Sequence, residues 1–118
     1  MPCAPETIKQ RRDFLSCAKT GRVLTPGLIL QGRERMRNDP GPFRVGYTCS
    51  KKVGNAVARN RAKRRLRAVA AKVLPESGRP GWDYVLIGRA NVTVSRDFTE
   101  LCKDMETALA RIHSDANS

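Results

Sequence analysis

Apolar positions recur along this chain with two different periods, and the places where the period changes mark its elements. Thr7 to Lys19 predicts a first helix: Thr7-x-x-Gln10 is a capping-box pattern, Ile8, Leu15 and Ala18 share one face, and Gly21 is a stop signal. Leu28 to Leu30, after Pro26-Gly27, predicts a strand, and Asn38-Asp39-Pro40-Gly41-Pro42 predicts a turn that would close a hairpin. Beyond it, Phe43, Val45, Tyr47 and Cys49 alternate with Arg44, Gly46, Thr48 and Ser50, the period of a strand with one packed face and one wet face.

Gly54-Asn55 opens a long helix in which Ala58, Ala62, Leu66, Val69, Ala70 and Val73 form an apolar arc, ending near Leu74-Pro75. A loop at Ser77–Gly81 leads to a buried strand, Tyr84 to Ile87. Ser95 then caps a last helix whose core face is Phe98, Leu101, Cys102, Met105, Leu109 and Ile112. Asp97 and Glu100 near its start and Arg111 near its end complement the helix dipole. The order α-β-β-α-β-α predicts an α+β fold, a sandwich of three helices on a small mixed sheet. It forms one domain over residues 1–118, with 1–6 and 114–118 as flexible ends.

Charge sharpens this outline. The 118 residues carry 23 Lys plus Arg against 11 Asp plus Glu, a formal net charge of +12. Between Pro40 and Pro75 stand Arg44, Lys51, Lys52, Arg59, Arg61, Lys63, Arg64, Arg65, Arg67 and Lys72, with no acidic residue among them. The excess therefore belongs to one surface, whose natural counterpart is a polyanion. No apolar run is long enough for a membrane span and the N-terminus has no signal-peptide core, so the expected address is the cytoplasm.

Catalytic chemistry is poorly provided for. Cys3, Cys17, Cys49 and Cys102 show no C-x-x-C spacing and no paired histidine, so they read as small core hydrophobes rather than zinc ligands. His113, the single histidine, reads as a complement to a helix end in a polar tail. Asp97, Glu100, Asp104 and Glu106 read as the solvated face of the last helix.

Ser50 to Arg67 joins a strand end, a Gly-Asn turn and a helix N-terminus, each able to contact phosphate. Lys51 and Lys52 add point charges beside free N–H groups near Asn55 and Ala56. Arginine forks along the helix suit bidentate grip on phosphate or stacking on bases. The basic helix follows a strand rather than another helix, which favours structured RNA over DNA; an acidic protein or membrane ranks last.

The run Arg44-Val-Gly-Tyr-Thr-Cys-Ser-Lys-Lys-Val-Gly-Asn-Ala-Val-Ala-Arg-Asn-Arg-Ala-Lys-Arg-Arg-Leu-Arg67 closely resembles the signature of the bacterial ribonuclease P protein subunit, with Arg59-Asn60-Arg61 at its centre. Asp13-Phe14, Gly21 and Asp83 to Ile87 agree with it. The resemblance implies a non-catalytic partner of a catalytic RNA that removes the 5′ leader of precursor tRNA, with the RNA and the precursor as partners and no membrane or DNA. It implies no cofactor bound by the protein alone and magnesium held mainly by RNA. It also implies a left-handed β-α-β crossover about the basic helix, against the right-handed default. By position, Lys51, Lys52, Asn55, Arg59, Asn60, Arg61, Lys63, Arg64, Arg65 and Arg67 would face RNA, and Phe14, Arg44 and Tyr47 the leader. Ala18 and Gln31 stand where an aromatic is often found, so Phe43 or Tyr47 would have to complete a stacking platform. A small ribosomal or structural RNA-binding protein is the rival that composition leaves open.

Overall fold

Chain order and spatial order differ in the sheet. The structure, a computed structural model, describes residues 6–8, 10–35, 41–49 and 51–116. The elements are β1 (Glu6–Thr7), α1 (Arg11–Thr20), β2 (Arg22–Leu24), β3 (Leu28–Glu34), β4 (Arg44–Cys49), a single 3-10 turn (Lys51–Val53), α2 (Ala56–Ser77), β5 (Trp82–Gly88) and α3 (Phe98–Ala116). The strands lie side by side as β1-β4-β5-β3-β2. β4 runs parallel to β5, so the chain must cross the sheet between them, and α2 is that crossover. β3 pairs antiparallel with both β5 and β2.

Both faces of the sheet are covered. Leu28, Leu30, Val45, Tyr84 and Leu86 meet Leu66, Val69 and Val73 of α2 and Leu101, Met105 and Leu109 of α3 in the main core. On the other face Ile8, Cys17 and Val85 form a smaller cluster with Phe14 and Ile87 beneath α1. A strand covered on both sides reads as an unbroken apolar run, which is why Tyr84 to Ile87 stood out in the sequence.

Several expectations are corrected by this arrangement. The first helix starts at Arg11, not Thr7. Ile8 is buried and its N–H donates to the Val45 carbonyl (2.9 Å), so pairing with β4 takes Thr7 into β1 and leaves no capping box. Its buried face is Cys17 with Phe14, whereas Leu15 is 50% exposed. The expected hairpin between β3 and β4 does not form, because β5 inserts between them and β3 turns back instead on β2. Its Asn38-Asp39-Pro40 turn lies outside the described residues, as do Cys3, Ser50, the rest of 1–5, and 117–118; of the expected flexible ends, Glu6 joins β1 and 114–116 continue α3. β4 has no wet face: Gly46 is buried against Phe14. α2 continues through Pro75 to Ser77. The proline's missing N–H deprives only the carbonyl of Ala71, which is exposed to water, and the helix closes where Gly78 N–H meets the Leu74 carbonyl at 2.7 Å.

α3 departs from its reading at three residues. Asp97, rather than Ser95, caps it, its carboxylate accepting from Thr99 N–H (3.1 Å) while the Ser95 hydroxyl donates to the Asn91 carbonyl. Asp104 is buried, not solvated, taking a bond from Arg96 Nε at 2.7 Å and another from Gly27 N–H at 3.0 Å. His113 is 4% exposed rather than free in a tail. Its Nε2 lies 2.8 Å from the Tyr84 hydroxyl and its ring packs edge-on against Trp82.

Burial, assisted by the charge of Arg79, pulls His113 from 6.5 down to about 4. A folded chain that keeps this imidazole neutral binds fewer protons than the unfolded chain, so stability is full above pH 6.5 and is lost as pH falls toward 4. The loss is on the order of 3 kcal/mol. Urea titrations at neutral and mildly acid pH measure it, and His113→Phe is expected to flatten that pH dependence.

Candidate nucleic-acid interface

The cationic ridge is built where β4 ends and α2 begins. Gly54 adopts φ +135°, a conformation that L side chains rarely tolerate, and turns the chain into the helix. Asn55 is extended and caps α2, its side-chain oxygen accepting from Ala58 N–H at 2.9 Å. That contact uses the amide oxygen and leaves the amide donors for an outside acceptor. Lys52 is exposed beside this N-terminus; Lys51 stands in the preceding turn, its side chain outside the described set.

Along α2 the buried arc of Ala62, Leu66, Val69, Ala70 and Val73 fixes which residues turn outward. Asn60, Arg61, Arg64 and Arg67 are exposed, and Arg59, Lys63 and Arg65 are half-buried on the flanks. Arg59 lies over β4, its carbonyl meeting the Cys49 thiol at 3.9 Å. The Arg67 guanidinium sits 5.5 Å from the centre of the Tyr47 ring. Arg65 points to the loop before α3 and bonds its carbonyls. Among the described residues no ion pair takes up any cation of α2. The ridge thus presents uncompensated charge, the arrangement that phosphates neutralise.

A second feature lies across the sheet, where α1 leaves a groove of about 370 Å³. Phe14, Leu15 and Ala18 form its α1 wall, Val85, Ile87 and Gln31 its floor, and Arg11 its rim. Ala18 and Gln31, the two positions without the aromatic, both line it. The Phe14 ring rests directly on Gly46; a Cβ there would stand 2.6 Å from a ring carbon. Tyr47 and Phe43 do not complete the platform. Tyr47 borders the groove, but strand alternation and Arg67 place its ring on the α2 side. Phe43 packs edge-on against Tyr84 in the main core.

Arg44, expected at the leader surface, is bound within a charge cluster. Asp83 is 0% exposed and lies in register between Arg33 on β3 and Arg44 on β4, making one Arg–Asp–Arg row across three strands. Arg44 grips it with two bonds of 2.8 and 2.7 Å, Arg33 with one of 3.1 Å and Arg35 with one of 2.7 Å. Burial alone would raise the Asp83 carboxyl, and the three guanidiniums, Arg44 foremost, outweigh it and hold the group below the usual carboxylate range. Asp13 of α1 joins through Arg33 (3.1 Å) and Arg44 (3.7 Å), so the cluster ties α1 to the sheet and sets one wall of the groove. Sequence reading missed Arg33, Arg35 and Asp83 here. The signal was an acidic residue opening the apolar run Tyr84 to Ile87, which demanded a buried partner.

Among the described residues neither feature gathers a low-pKa thiol or a metal-ligating cluster. Burial pushes the Cys17 thiol up to about 11 and raises Cys49 and Cys102 as well, which disfavours thiolates. Among the described residues no three His, Cys, Asp or Glu side chains gather as a metal cage, and the Asp13–Asp83 pair is already filled by guanidiniums. These residues do not fit a magnesium ion. No helix among the described residues is long and apolar enough to cross a membrane.

Comparison with known proteins agrees with this architecture. A family model described as Ribonuclease P matches residues 4–113. The ribonuclease P protein component of Ruegeria pomeroyi is 53% identical over 107 residues, covering 91% of this chain and 86% of that protein. The component from Caulobacter vibrioides is 44% identical over 110 residues, covering 93% and 72%. Among solved structures, the RNase P protein of Thermotoga maritima superposes with a TM-score of 0.71 at 26% identity, covering 91% of this chain and 97% of that one. The Staphylococcus aureus protein gives 0.69 at 26% identity, covering 90% and 95%.

Proposed function

Because the chain belongs to the ribonuclease P protein family, we propose that its α2 ridge docks on the catalytic RNA of ribonuclease P while the groove beneath α1 holds the 5′ leader of precursor tRNA. The chain is the RNA-binding protein subunit of an enzyme of tRNA processing. That identity sets aside the rival reading of a ribosomal or structural RNA-binding protein. The observation that carries the docking geometry is the ridge itself: exposed Asn60, Arg61, Arg64 and Arg67, flanked by Lys52, Asn55, Arg59 and Lys63, with no carboxylate among the described residues paired to α2.

In this reading the protein supplies neutralisation and position. Two polyanions must approach closely, and a +12 body between them lowers their repulsion while the groove restrains the leader. The chemistry and the magnesium belong to the RNA, and the chain alone cleaves nothing. Mixing the chain with a ribonuclease P RNA and a precursor tRNA tests this: cleavage should proceed at lower magnesium than with RNA alone. No shift in the magnesium requirement, or cleavage by the protein without RNA, would contradict it.

Phe14 is the half-buried edge of the smaller cluster and the aromatic ring on the α1 wall of the groove, so Phe14→Ala is expected to weaken binding of leader-bearing precursor about tenfold more than binding of mature tRNA. Gly46→Ala, which tilts the ring without deleting it, should give a smaller loss of the same kind. Equal losses for the two RNAs would mark Phe14 as core alone.

A further inference from the structure

Arg65 sits in the middle of the basic run and by sequence is one more phosphate ligand, yet two of its guanidinium donors already hold partners within the protein. Nε donates to the Thr93 carbonyl at 2.9 Å and Nη2 to the Arg96 carbonyl. Both acceptors belong to the loop between β5 and α3, and that loop is itself anchored. Thr93 is fully buried; its hydroxyl donates to the Gly27 carbonyl (2.7 Å) and accepts from Arg89 N–H (2.8 Å). The Arg96 side chain is bound to Asp104 of α3. On the opposite flank of α2, Arg67 lies over Tyr47 of β4.

The geometry points to Arg65 as a positioning residue: it clamps α2 to this loop and fixes the roll of the helix, so that Asn60, Arg61 and Arg64 face the RNA together. The inference rests on the docking reading above. A roll of about 30° would sweep a side-chain end about 6 Å from the helix axis through about 3 Å, a full hydrogen-bond length. The apolar arc sets which residues face outward, and Arg65 refines that roll through contacts made within the protein. Lysine cannot replace it, since an ammonium lacks the planar fork that spans two carbonyls.

The test is association of the full chain with a ribonuclease P RNA across a salt series, well below the melting temperature of each variant, for Arg65→Lys, Arg65→Ala and Arg64→Ala. Arg65→Lys, which keeps the charge, is expected to lose affinity on the order of tenfold with the slope of log K against log salt unchanged, and Arg65→Ala to do the same. Arg64→Ala should instead make the slope shallower by about 1. Full affinity in folded Arg65→Lys would overturn the positioning role, as would a slope reduced in Arg65→Ala by as much as in Arg64→Ala. An unchanged slope in Arg64→Ala would overturn the docking reading and the positioning role with it. Should Arg65→Ala not fold, Arg65→Lys alone decides between the first two outcomes.

Discussion

Asp83→Ala is expected to cost about 3–5 kcal/mol of folding stability, the largest loss of any single substitution in this chain. Its carboxylate is fully buried and answers Arg33, Arg35 and Arg44. Without it, three partly buried guanidiniums lose the carboxylate they share, and Asp13 offsets the charge of Arg33 and Arg44 alone among the described pairs. Arg33 and Arg44, which hold Asp13 of α1, lose their anchor on β5 in the same substitution, so the groove should loosen as well. Denaturant titration at neutral pH measures the effect as a lower midpoint at unchanged slope. Its pH dependence is distinct from that of His113. A carboxyl held below its ordinary value stabilises the fold above pH 3.8, and that contribution disappears only as pH falls further.

The second large effect belongs to the ridge. Combined replacement of Arg59, Arg61 and Arg64 by alanine should weaken association with a ribonuclease P RNA by on the order of a hundredfold at moderate salt and make the salt slope shallower by about 2 to 3. Arg61 and Arg64 are exposed, Arg59 pairs with no carboxylate, and alanine favours helix, so the fold should persist. Circular dichroism on the triple variant checks that the helix persists, and the salt slope then reports the loss as electrostatic.

What the sequence disclosed and what it concealed divide by the range of the interactions involved. The ridge was legible because Arg59 to Arg67 are neighbours along one helix whose apolar arc, Ala62 to Val73, dictates the outward positions. The Gly54-Asn55 helix start was equally local, and Asn55 caps α2 as its residue type suggests. β4 was legible from its alternation, but its partner was not. Insertion of β5 between β3 and β4 is a matter of pairing across some 50 residues, and an Asn-Asp-Pro-Gly turn signal carries no information about which strand arrives later. Asp83, Asp104 and His113 misled or were missed for the same reason. Each is a polar residue buried against a group outside its own local pattern: Arg44 for Asp83, Gly27 and Arg96 for Asp104, and Tyr84 for the Nε2 of His113. Arg65 is the sharpest instance, since its composition-level reading as a phosphate ligand is indistinguishable from that of Arg64 until the loop 28 and 31 residues away is in view. Phe14, Ala18 and Gln31, which line the groove, stood out in the sequence only through the family resemblance, whereas the turning of Tyr47 and Phe43 to the other side of the sheet follows from strand parity once β4 is placed between β1 and β5.

The claim that α2 is the face on which the ribozyme docks is tested most directly by a hydroxyl-radical footprint of ribonuclease P RNA with the wild-type chain and with the Arg59, Arg61, Arg64 triple variant at equal concentration. Protection of a defined stretch of RNA backbone by the wild type, lost with the variant, is the predicted result. The same protection by both would contradict it and move the docking surface elsewhere on the protein.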